Sequence, residues 1–223
     1  MKKVLLIILL MLPAIANAQN MVARPIDEAG NDPSFLAYRT ALIQSVKSRD
    51  TEAVVAASAN DIHLSFGGHS GHNDLRDFLN VPIENLADEY KTEAPKMRDE
   101  RWGALLKVLE LGGRFQEGAF TAPYTWTAEV PEQSEAYETF FVTGSNVLLR
   151  TAGKQSAPIK SRLSYNIVYI PEWAEDEAYQ NISLPDGTSG FLSVDYLRAQ
   201  IDYRSIFAKQ NGVWEMTVFI AGD

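Results

Sequence analysis

Three histidines, His63, His69 and His72, fall within ten residues of one another in the stretch DIHLSFGGHSGHNDL (61–75), and the chain has no others. Imidazole is the commonest side-chain metal ligand and the group whose charge changes nearest to neutral pH. Asp61, Asp74 and Asp77 are close by in sequence, so the stretch holds the residue types of a metal centre. The spacing argues against one. His69 and His72 are three apart in a Ser-Gly loop, whereas zinc sites usually recruit histidine pairs from helices. A solvent-facing connection between a strand and a helix accounts for the same residues. No metal or other cofactor is therefore assigned, and a metal-dependent enzyme or binder using His63, His69 and His72 stands as the alternative. An anion cradle in GGHSGHN is weaker still, because the Gly-Lys-Ser/Thr of a phosphate loop is missing and Asp74 would oppose an anion.

Other catalytic constellations are thin. The chain has no cysteine, which removes thiol nucleophiles, thiolate ligands and disulfides together. Neither a G-x-S-x-G elbow nor an H-E-x-x-H pair occurs. The expectation is a protein that binds rather than catalyses. Carboxylates cluster at Glu172, Glu175, Asp176 and Glu177 around Trp173. A tryptophan in so acidic a loop is not expected in a core, and an aromatic ring beside carboxylates suits a peptide or an amino sugar.

The elements that must position these residues begin after MKKVLLIILLMLPAIANAQN. Lys2 and Lys3, the apolar run Val4 to Ala16 and the small residues of Ala16-Asn17-Ala18 have the form of a secretory signal peptide, 1–18. The apolar run is shorter than the roughly 20 residues that a spanning helix needs, so no transmembrane segment is expected after cleavage. A periplasmic or secreted location follows. Formal charge is −9, and more negative by two once Lys2 and Lys3 are removed. Without a cluster of basic residues, nucleic acid and anionic membrane surfaces are poor partners.

Residues 19–33 are polar, carry two prolines and read as a flexible lead-in. Phe35, Tyr38, Leu42, Ile43 and Val46 then share one helical face, and Asp50 caps a second short helix. Ile62, Leu64 and Phe66 alternate as a strand, Asn73 is positioned to cap a further helix, and a long helix is predicted from about Pro95 to Leu111. Beyond Gly113 the period becomes strand-like. VPEQSE (130–135) is the best boundary signal, and Asn211-Gly212 predicts a type I′ hairpin at the end of the chain.

The segments VTGSNVLLRTAGKQSAPI, LSYNIVYI and YQNISLPDGTSGFLSVDYL, within residues 138–198, resemble a bacterial SH3-type domain. They are similar in the run V-x-x-x-x-V-x-x-R, a paired strand, an aromatic followed by D-G-x-x-G-aromatic, and a closing Tyr-Leu. The resemblance implies a small β-barrel used for binding, with Tyr179 and Tyr196 near its rim, and a cell-wall peptide or an envelope protein as partner. Asp186-Gly187 is a turn pair in its own right, and a barrel this small leaves little room for a buried cavity. A purely structural barrel without ligand is the third reading. The expected fold class is α+β: an α-rich N-terminal domain (34–129), a small C-terminal SH3-like barrel (136–200) and a terminal β-hairpin (201–223) that belongs to either. Packing of that hairpin on the N-terminal domain would make the barrel an insertion, and the helix-helix-strand at the front together with the terminal hairpin ending VWEMTVFIAGD faintly resembles nuclear-transport-factor-like cone folds. The ligand-binding residues expected are Trp173, Tyr179 and Tyr196.

Overall fold

A computed structural model describes residues 21–222, so the expected signal peptide (1–18) lies outside the described residues. The fold is mixed α+β, with four α-helices and two sheets among those residues. Helix α1 spans Pro33–Ser48. Pro33 needs no partner for a missing N–H at this position, and the Asp32 carboxylate accepts the backbone N–H of Ser34 and Phe35 at 2.8 and 3.1 Å. Helix α2 (Thr51–Ala56) is capped by Asp50, which accepts the N–H of Ala53 at 3.0 Å. Strand β1 (Ser58–His63), helix α3 (Gly71–Asn80) and helix α4 (Ala94–Glu110) follow, and α4 stops ahead of Gly112-Gly113 as its sequence predicts.

The chain then forms β2 (Arg114–Gln116) and β3 (Ala119–Ala122), a hairpin turned by Glu117 and Gly118, both with positive φ. Seven short strands come next: β4 (Thr139–Val142), β5 (Val147–Arg150), β6 (Ile159–Leu163), β7 (Ile167–Tyr169), β8 (Tyr179–Ser183), β9 (Ser189–Ser193) and β10 (Leu197–Ala199). The last hairpin is β11 (Arg204–Gln210) and β12 (Val213–Ile220), joined by Asn211 and Gly212 at φ 50° and 86°, as a type I′ turn requires.

Strand pairing assigns the terminal hairpin. The first sheet runs β1-β12-β11-β3-β2, with β1 parallel to β12 and the other pairs antiparallel. The hairpin is therefore the centre of the sheet that the N-terminal helices cover. Helix α1 sends Phe35, Leu42 and Val46, and α4 sends Trp102, Leu105 and Leu109, into one apolar core with Phe120, Phe207, Met216 and Phe219 from the strands. Phe35 is fully buried at its centre, with its ring 4.2 Å from that of Phe120 and 5.0 Å from that of Trp214.

The second sheet, β10-β4-β7-β8-β9-β5-β6, is contributed wholly by residues between β3 and β11. Its pairings leave β10 and β6 as edges. It wraps a separate core of Val142, Leu149, Val168, Ile182 and Leu192, among others. This unit is inserted into the first one.

Three expectations need correction. Residues 21–33 are not a free lead-in. Val22 bridges Asn166, the Ala23 N–H donates to the Tyr165 carbonyl at 2.8 Å, and Asp27 pairs with Arg39 at 2.7 Å. The two prolines and polar residues hid a segment whose few apolar side chains, Ala23 and Ile26, fill the seam between the units with Tyr124, Phe141 and Ile167. Strand β1 also ends at His63, short of Phe66, which is 65% exposed. The Ser65 hydroxyl accepts the N–H groups of Gly67 and His69 at 3.2 and 3.0 Å, and this turn takes the chain out of the sheet. Finally α3 starts at Gly71 after Ser70, not at an Asn73 cap. Asp74 in its first turn reaches back to accept the Ser70 N–H at 2.9 Å.

Candidate functional site

Tyr179 and Tyr196 come together. Both line an open groove of about 320 Å³ on the inserted unit, with Arg150, Gln155, Ser193 and Asp195. Tyr179 opens β8, and Tyr196 ends the short 3-10 turn Val194–Tyr196 that leads into β10. The Tyr196 carbonyl accepts the Thr143 N–H at 2.9 Å, which fixes the turn against the end of β4. A side chain at residue 144 would press on the Tyr196 ring, 3.0 Å from a built Cβ, so Gly144 lets the ring lie across the loop. Tyr196 is 46% exposed and neither tyrosine belongs to the core of the sheet.

The groove has a polarity of its own. The Arg150 guanidinium, in the groove lining, donates to the Ala157 carbonyl at 2.8 Å. Asp195 accepts the Ser193 hydroxyl at 3.2 Å and has no ion pair among the described residues. A carboxylate and two phenol rings in the lining of one groove offer an ammonium group both a counter-charge and aromatic faces. Asn146, Gln155 and Ser145 supply neutral hydrogen-bonding groups for a peptide backbone.

Trp173 is elsewhere. Its ring stacks on Phe140, with centroids 5.3 Å apart and planes 11° from parallel, and it is 40% exposed. It is a half-covered lid on the core rather than a groove residue. The acidic loop around it is held by Gln180, whose buried amide accepts the Ala174 N–H and donates to the Ala174 carbonyl, each at 2.8 Å. Glu172, Glu175, Asp176 and Glu177 are exposed.

The histidine stretch separates into three environments. His63 closes β1 and bridges Ser70. The His69 side chain is 76% exposed, with Nδ1 3.4 Å from Asp74 Oδ2. His72 turns inward, and its Nε2 donates to the Ser58 carbonyl at 3.0 Å. Among the described residues no group of three or more His, Asp or Glu side chains is placed to hold a metal ion. His69 does line a cavity of about 350 Å³ with Leu64, Asp74, Phe78 and Arg101, but Arg101 is committed to the Phe78 carbonyl at 2.8 Å.

Sequence reading missed Arg150 and Asp195. Both lie inside the quoted stretches, as the last residue of NVLLR and the neighbour of Tyr196 in VDYL. Attention to charged residues adjacent to the motif aromatics would have found them. Family models, curated proteins and solved structures gave no match to this chain. No helix among the described residues is long and apolar enough to cross a membrane.

Proposed function

We propose that this is an exported envelope protein, periplasmic or secreted, whose inserted unit is an SH3-type module. The module binds an extended peptide of the cell wall or of an envelope protein without chemical change to it. The observation that carries the reading is the groove whose lining brings Tyr179 and Tyr196 together with Asp195, a carboxylate with no ion pair among the described residues. Peptide stems that carry free amines match that surface by charge and by aromatic contact. The SH3-type assignment is supported by the range of the seven strands, 139–199, which covers the resembling segment, and by the separate core those strands enclose. Signal cleavage after Ala18 would place the mature chain where such peptides occur.

The test is retention of the purified mature chain on isolated cell-wall sacculi. Wild type is expected to be retained, the Tyr179→Ala/Tyr196→Ala variant lost to the flow-through, and Trp173→Ala retained, because that ring lies outside the groove. Failure of the wild type to bind sacculi or a panel of envelope proteins overturns the reading.

A further inference from the structure

Arginine pairing across the molecule singles out a second site. Of the chain's eleven arginines, nine have a carboxylate or carbonyl partner. Arg39, Arg49, Arg76 and Arg198 pair with carboxylates, and Arg98, Arg101, Arg150, Arg162 and Arg204 donate to backbone carbonyls. The two without a partner among the described residues are Arg24 and Arg114. Both line one cavity, of about 310 Å³. In a chain with 29 acidic and 20 basic residues, two arginines without a partner among the described residues in the lining of one cavity run against the overall balance.

The buried polar atoms at that cavity point the same way. Among the described residues Arg114 Nε is buried without a hydrogen-bond acceptor, and so is the hydroxyl of Tyr124, a cavity residue that is only 3% exposed. A buried donor without an acceptor is costly, and native structures seldom keep one unless something outside the chain satisfies it. Burial pushes the Tyr124 hydroxyl up to about 12, with Tyr165 adding to the shift, so the group remains a neutral donor at physiological pH. Thr127 Oγ1 is already spent on the Tyr124 carbonyl at 3.2 Å, which leaves the guanidinium groups and the phenol as the free donors.

The position suits a ligand. The cavity lies at the seam where Met21 and Ala23 of the leading segment, the start of β2 at Arg114 and the 3-10 turn Tyr124–Thr127 meet beside the inserted unit. Junctions between structural units are preferred places for small-molecule sites. Paired arginines present planar, bidentate donors that match an oxyanion. Glu129, which is exposed, also lines the cavity and would repel a negative charge beside it, so the ligand's anionic end belongs with the arginines.

We propose that this seam cavity binds a small molecule through an oxyanion, a carboxylate or a phosphate, gripped by Arg24 and Arg114 with the Tyr124 hydroxyl as third donor. The site is distinct from the Tyr179–Tyr196 groove and does not depend on the function proposed for it.

The experiment uses the mature chain in a buffer free of oxyanions, titrated calorimetrically with inorganic phosphate, with succinate, and with sodium chloride as the salt control. Saturable binding of phosphate or succinate, absent with chloride, is expected, and the stronger of the two identifies the source of the oxyanion. Arg24→Gln, an exposed substitution that leaves the core intact, and Arg114→Gln should each weaken that binding roughly tenfold or more, the loss of one charge-assisted hydrogen-bonded contact. Tyr124→Phe should weaken it while leaving the unliganded protein as stable as before or more so, because it removes a buried hydroxyl that no acceptor satisfies. No saturable response to either probe, or a response undiminished in the two arginine variants, overturns the proposal.

Discussion

The Nε2 of His72 donates to the carbonyl oxygen of Ser58 at 3.0 Å and so ties the first turn of α3 to the start of β1. A carbonyl only accepts, so the proton sits on Nε2, and protonation of the ring leaves the bond in place. His72→Ala is expected to destabilise the fold by about 1 kcal/mol, the usual net contribution of such a bond. Urea unfolding at pH 7 measures it, and the loss should be the same with and without a chelator.

Gln180 provides a sharper case. Its amide is fully buried and makes both hydrogen bonds that the Ala174 backbone needs. Gln180→Leu keeps the volume but leaves a backbone N–H and a carbonyl without partners, at a cost of about 1–3 kcal/mol. The acidic loop should then open locally, with new proteolytic cleavage between 171 and 178 as the readout.

Phe35 touches the rings of Tyr38, Phe115, Phe120, Phe207 and Trp214 and so joins α1 to three strands and the β12 tryptophan. Phe35→Ala should cost about 3–5 kcal/mol, the range for deleting a buried aromatic. Against a total of about 5–15 kcal/mol that is a large share, so the expected result is a cooperative unfolding transition shifted to markedly lower urea and temperature.

Acid should weaken the same region. Burial works to raise the Asp27 carboxyl, but two hydrogen bonds from Arg39, at 2.8 and 2.7 Å, and one from the Ala29 N–H hold it below its ordinary 3.8. The Ser34 hydroxyl, then Lys209, hold Asp32 lower still. A carboxyl depressed in the folded state contributes stability that is present above the unfolded value and is lost as pH falls through the folded one. Unfolding midpoints should therefore hold between pH 7 and about 5 and decline below about 4. Asp27→Asn should lower the midpoint at pH 7 and flatten its decline in acid.

Much of the first unit was legible because its signals are local. The Asp50 cap, the Phe35–Val46 face, the stop before Gly112 and the Asn211-Gly212 turn each act within a few residues, and each is where the sequence places it. The pairing of β12 with β1 joins residues more than 150 positions apart, and nothing in either strand names its partner. The seam was illegible for a related reason. Ala23 ends a run of only three apolar residues and Ile26 stands alone beside a proline and charges, and only the arrival of Tyr124 and Phe141 makes them core. Of the groove, sequence reading named its two rings but not its charges, and it added Trp173, whose acidic neighbours concealed a stacking partner in Phe140.

The order of strands in the first sheet also sets an order of events. Strands β11 and β12, at its centre, are made after the other described strands, and among the described residues β1 has no neighbour in the sheet except β12. Helices α1 to α4 emerge some hundred residues before the surface they cover exists, while the inserted unit holds its seven strands and core within residues 139–199. A growing chain can thus complete its inserted part first and must carry the N-terminal part unfinished until the final hairpin joins it. The strand order that makes the first sheet continuous thus ties completion of the N-terminal half to the arrival of β12.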